Sequence, residues 1–142
     1  MLDVCDVRVG NWVLKIMGTD ANEKSFFEYK PIAADEYFFT WAKYCFPIKI
    51  SSVILSKCGF TYNNGNWLIN EDIENVEHNT PFLSYRPPQG WFLNEYFLKA
   101  QPDYLHQLQN IYYSLTGKEL KVVLVPFENI DLIQPVKFFL NL

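Results

Sequence analysis

The residues with the richest potential chemistry lie between Asn70 and Thr80, in the run NEDIENVEHNT. Glu71, Asp72, Glu74 and Glu77 precede His78 there. On a helix, Glu74 and His78 would share a face at the i, i+4 spacing that can hold a metal. The interleaved Asn70, Asn75 and Asn79, with Pro81 just beyond, favour a solvated loop instead. The H-x-x-E-H order of the inverted zinc peptidases is also missing, so no metal site is expected. Paired carboxylates of the glycosidase kind need a cleft that spacing alone does not define.

Nucleophilic chemistry has little local support. A Cys–His pair would have to be assembled in space from Cys5, Cys45 or Cys58 and one of the histidines, His78 or His106. A buried, inert thiol is the commoner fate of a free cysteine. None of the three cysteines sits in a C-x-x-C, which removes zinc-knuckle and redox motifs. There is no G-x-S-x-G elbow, and the glycines at 10, 18, 59, 65, 90 and 117 never form a G-x-G or a phosphate-binding loop. No cofactor is expected, and whether the chain is an enzyme stays open.

The most organised stretch is YLHQLQNIYYSLTGKEL, residues 104 to 120. Leu105, Leu108, Ile111, Tyr112 and Leu115 recur at three- and four-residue spacing and predict one buried helical stripe. Asp103 is placed to cap the start and Gly117 to end the helix in a left-handed conformation. The opposite face presents His106, Gln109, Asn110 and Tyr113, which makes it the candidate interaction face. Such groups either contact a partner or bond neighbouring backbone inside the fold. The second reading is favoured, with His106 and Asn110 expected to hold the 60–70 or 81–98 hairpin against the helix.

Bulk properties narrow the class. A chain of 142 residues is the size of one domain and buries roughly two-thirds of its unfolded surface without help from a metal or disulfide. With 12 Phe, 9 Tyr and 4 Trp, a β-rich core is expected. The net charge is −4 and the arginines are Arg8 and Arg86, with no basic run, which argues against duplex nucleic acid. Aromatic stacking on single strands would need a basic groove beside it. The start, MLDVCDVRVGN, does not read as a secretory signal, and no apolar run approaches the ~20 residues of a membrane helix. Free thiols suit a reducing compartment, so a soluble cytoplasmic protein is expected.

The elements that must position these residues follow from local patterns. DVRVGNWVLKI predicts a strand, apolar on both sides and so central, with a bulge or tight turn at Gly10-Asn11. FFEYK predicts a second strand ended by Pro31, and residues 36 to 46 favour a third. Ser51 or Ser52 can cap a short helix closed by Gly59. Asn64-Gly65 predicts a hairpin, Arg86 to Gly90 a second, and KVVLV a strand over 120–125. The sum is an α+β domain over 1–142, with an antiparallel curved sheet (a partial barrel) and two short helices at about 51–58 and 103–116. The apolar tail, 127–142, is expected to pack on its own domain or on a neighbouring chain, which leaves an oligomer open.

Three motifs together carry a resemblance. Arg8-Val9-Gly10-Asn11-Trp12-Val13 stands near the start. Pro47-Ile48-Lys49-Ile50-Ser51 and Leu55-Ser56-Lys57-Cys58-Gly59-Phe60 occupy the centre, and HQLQN-x-Y-x-x-LTG-x-EL covers residues 106 to 120. In this order they resemble a family of small uncharacterised proteins of bacterial genomes and prophages. The chain departs from that pattern at Cys58, where an aromatic is usual, and in the tail after Pro126. The resemblance implies a genomic setting but no catalytic residues. The expected function is a non-catalytic protein-interaction or accessory module, with a small enzyme or a single-stranded nucleic-acid accessory protein as alternatives.

Overall fold

A computed structural model describes residues 7–19, 25–32, 44–70 and 82–124. Among these residues, two antiparallel sheets and two helices make an α+β fold. β1 (Trp12–Thr19) lies between β2 (Ser25–Pro31) and β3 (Cys45–Phe46). A five-stranded meander follows the chain in order: β4 (Thr61–Asn63), β5 (Asn66–Asn70), β6 (Phe82–Arg86), β7 (Gly90–Leu93) and β8 (Tyr96–Phe97). The helices are α1 (Ser52–Lys57) and α2 (Leu105–Thr116). The strands are thus divided between two sheets, and neither is closed into a barrel.

The central position of β1 follows from its apolar residues on both parities. Val13 and Leu14 are consecutive and both fully buried, so each faces a different cluster. Val13 meets Ile32 and Cys45, while Leu14 joins the main core. That core draws Tyr29 from the first sheet, Leu83 and Trp91 from the second, Leu55 from α1 and Leu108 from α2. Both sheets and both helices therefore share one apolar interior, which is why the polar residues beside it are forced into defined partnerships.

Local chemistry sets most element ends. Gly10 takes φ +93° and the Asn11 amide donates to the Arg8 carbonyl at 3.1 Å, so the predicted irregularity is a tight turn and β1 begins only at Trp12. Asn64 and Gly65 both adopt positive φ, which matches the strand twist in a two-residue hairpin and fixes the register Tyr62 to Trp67. The second expected hairpin joins β6 to β7, with Arg86 opposite Gly90. A third, β7 to β8 across Asn94-Glu95, was not predicted. The Ser51 hydroxyl accepts from the Ile54 amide to start α1, and Gly59, at φ +81°, turns the chain away after it.

Two expectations need correction. Residues 120–124 form no strand. Leu120 and Leu124 are buried while Val123 is exposed, so the period-two pattern is satisfied by packing alone. The Val123 amide donates to the Lys57 carbonyl, which anchors the segment to the end of α1 without a ladder. The start of α2 is also one residue later than expected, with Tyr104 rather than Asp103 as N-cap. Gln107 accepts the amides of both Asp103 and Tyr104 through its Oε1, and the Asp103 carbonyl is taken by Ile50. Most of the strand expected over 36–46, the acidic run 71–80 and the tail 127–142 lie outside the described residues. No helix among the described residues is long and apolar enough to cross a membrane.

Candidate functional site

The polar face of α2 is an internal contact. Gln109 is 1% exposed and spans a turn of backbone: its Oε1 accepts from the Trp12 amide at 2.8 Å and its Nε2 donates to the Gly10 carbonyl at 3.0 Å. Asn110 Oδ1 accepts from Asn11 Nδ2 at 2.9 Å, and Asn11, fully buried, accepts the Arg8 amide at 2.8 Å. The Arg8 guanidinium then closes the arrangement. It forms a two-pronged ion pair with Glu119, donates to the Gln109 carbonyl, and lies 4.4 Å over the Tyr113 ring. His106 is buried with its ring stacked on Tyr104.

The candidate face is therefore a clasp between α2 and the turn at residues 8–12. The partner shown for Asn110 Oδ1 is that turn, through Asn11. The reason is geometric: a tight turn leaves amide and carbonyl groups without ladder partners, and a glutamine can serve one of each at once. Burial on α2 is accordingly shifted, with His106 and Gln109 covered more completely than Ile111, Tyr112 or Leu115. Of the expected face only Tyr113 is substantially exposed, at 44%. Arg8, Asn11 and Glu119 are the residues that sequence reasoning missed. Their signal was their place in two of the three motifs that carry the resemblance.

A second arrangement does open to solvent. The register of the meander aligns Tyr62, Trp67, Tyr85 and Trp91 in one row across β4 to β7. Tyr62 and Trp67 have ring centroids 5.2 Å apart, and Tyr85 and Trp91 5.3 Å apart. On the same face, Ile69 and Leu83 lie two residues further in and pack into the core, so the row forms the mouth of the core face. Burial falls along it, from Trp91 at 3% exposed to Tyr62 at 62%.

This row floors a trough. A cavity of about 640 Å³ separates it from a wall made by residues 49–52 and 101–104. A shallower hollow of about 510 Å³, reaching Val53, Ser56 and Tyr62, shares Ser52 and Trp67 with it. Binding pockets for small ligands typically measure about 300–1,000 Å³. The wall is firmly tied: Lys49 bridges Tyr104, and the Leu105 amide donates to the Ile48 carbonyl at 2.8 Å. Gln101 clamps the wall to the sheet, accepting the Trp91 amide at 2.6 Å and donating to the Trp91 and Leu98 carbonyls. A methyl group at Gly90 would approach Gln101 Oε1 to 2.5 Å, which explains glycine there. No protein-family model, curated protein or solved structure matches this chain.

The described thiols are poor nucleophiles. Burial pushes Cys58 up to about 12 and Cys45 up to about 11, in the second case against the opposing pull of Lys15 and Lys30. Unfolding restores the ordinary value of 9.0, so between 9.0 and about 12 the unfolded chain holds fewer protons than the folded one. The stability linked to these thiols is complete below that window and is lost as pH rises through it. Iodoacetamide at pH 8 is expected to leave Cys45 and Cys58 unmodified until denaturant is added. Prompt alkylation of either in the native protein, read by mass spectrometry, would contradict this.

Proposed function

We propose that the protein is a non-catalytic interaction module that works through the aromatic trough rather than through the outer face of α2. The observation that carries this reading is the in-register row Tyr62, Trp67, Tyr85, Trp91, which becomes more exposed as it leaves the core. Partly exposed Trp67 and Tyr85 with exposed Tyr62 give contact area at little cost in side-chain entropy, and these residue types dominate binding energy at protein interfaces. Held against a tied wall, they are pre-organised for a partner.

The alternatives draw less support. The charged side chains lining the main cavity, Lys49 and Asp103, are opposite in sign, so a nucleic-acid backbone gains little there. Among the described residues no three His, Cys, Asp or Glu side chains come together as a metal-holding group, and the described cysteines are protonated at neutral pH. Two motifs of the bacterial and prophage resemblance map onto the clasp, and the central Lys49-Ile50-Ser51 segment lines the trough. We place the protein in such a setting, as a cytoplasmic accessory factor.

Two-dimensional NMR with pools of unstructured peptides, oligosaccharides and single-stranded oligonucleotides tests the reading. Peptides are expected to shift the indole signal of Trp67 and the backbone around Tyr62. Tyr62→Ala, at an exposed position, should keep the fold and weaken those shifts. Shifts produced only by oligonucleotides or sugars would overturn the proposal.

A further inference from the structure

We infer that the trough takes a proline-rich segment in the polyproline II conformation, flanked by a lysine or arginine directed at Asp103. The inference rests on the interaction reading above and names the partner of that same site. Its first support is the set of free donors in the lining. Some backbone carbonyls beside the trough are already used: Ile48 by Leu105, Asp103 by Ile50, and Trp91 by Leu98 and Gln101. The lining also presents the Trp67 indole N–H with the hydroxyls of Ser52 and Tyr85, none of which has a hydrogen-bond partner among the described residues.

An indole N–H and hydroxyls able to donate suit a ligand that offers carbonyls. A polyproline II segment makes no internal hydrogen bonds and offers all its carbonyls, while each proline contributes no N–H. A regular β-strand would need acceptors as well. It would also need a free sheet edge, whereas the trough runs across the strands from β4 to β7.

Spacing is the second support. A polyproline II helix rises ~3.1 Å per residue, so positions i and i+3 on one face stand ~9 Å apart. Strands in a sheet repeat at ~4.8 Å, so alternate strands are separated by nearly the same distance. Prolines at i and i+3 can thus sit against Tyr62 and Tyr85, two strands apart in the row.

Charge complementarity is the third. The Asp103 carboxylate is exposed on the rim and has no partner among the described residues, whereas Lys49 is already engaged. On a chain of net charge −4, a basic flanking residue meets an attractive field.

Fluorescence anisotropy with labelled synthetic decapeptides tests the inference on the full chain. The reference peptide carries prolines at i and i+3 and a flanking arginine. Changing its prolines to alanine should weaken binding about tenfold or more, and changing the arginine to glutamate should weaken it several-fold. Asp103→Asn should remove the preference for arginine over glutamate while leaving the proline preference intact. Tyr62→Ala and Trp67→Phe should weaken every peptide, with far-UV circular dichroism confirming the fold of each variant. If alanine-substituted peptides bind as well as the proline-rich one, and Tyr62→Ala still weakens them, the polyproline assignment is wrong and the interaction reading stands. If no peptide binds in a Tyr62-dependent way, both fail.

Discussion

Gln109→Ala is expected to destabilise the protein by about 2–5 kcal/mol, more than most changes of a single polar side chain. The Gln109 amide lies fully inside the fold and serves two backbone groups at once, the Trp12 amide and the Gly10 carbonyl. Truncation leaves both without a partner where water has little access, at ~1–3 kcal/mol each, and opens a small cavity besides. Asn11 and Asn110 are joined by a side-chain bond, and Asn11, fully buried, also accepts the Arg8 amide, so Asn11→Ala should cost about as much as Gln109→Ala. The double mutant of the two asparagines should show a coupling of ~0.5–3 kcal/mol, since each removes the partner of the other. Urea melts of the four proteins measure this directly. A loss below ~0.5 kcal/mol for Gln109→Ala would mean that the 8–12 turn is not latched to the helix in solution. Tyr113→Ala is the control, because its half-exposed ring meets Arg8 at the surface and should matter little.

The other large effect belongs to the apolar side of the same helix. Leu108→Ala should cost ~2–5 kcal/mol, because Leu108 is fully buried in the cluster that joins both sheets and both helices. In a domain of this size each kcal/mol lowers Tm by roughly 2–4 °C, so the shift is readily seen in a thermal melt. An unchanged melting temperature would place the apolar stripe of α2 away from the core. Comparing Leu108→Ala with Gln109→Ala separates two contributions to one helix. The first removes packing, whereas the second removes hydrogen bonds that hold the turn before β1.

The parts of this protein that could be read from its sequence are those governed by neighbouring residues. Asn64-Gly65 makes its hairpin because both residues tolerate positive φ, and Ser51 and Gly59 bound α1 through a hydroxyl within reach and a glycine without a Cβ. The central place of β1 was also legible, since Val13 and Leu14 demand apolar neighbours on both sides. The strand expected after Gly117 failed because alternation reports only which side chains face inward, and Leu120 and Leu124 manage that without a ladder.

The partner of the polar helix face was beyond the sequence. Arg8 and Glu119 are 111 positions apart, and Trp12 and Gln109 are 97 apart, so no local rule connects them. A glutamine on a helix satisfies the same propensity whether it faces water or a buried turn, and only the placement of β1 beside α2 decides between them. The aromatic row has the same origin. Each hairpin sets its own register, but Tyr62, Trp67, Tyr85 and Trp91 become one surface only when successive strands stack in order. That surface becomes a trough only because Gln101 and the 48–50 segment fix a wall across from it. Local sterics and hydrogen bonds act over a few residues, whereas the clasp and the trough are made by contacts that exist only after the chain has closed on itself.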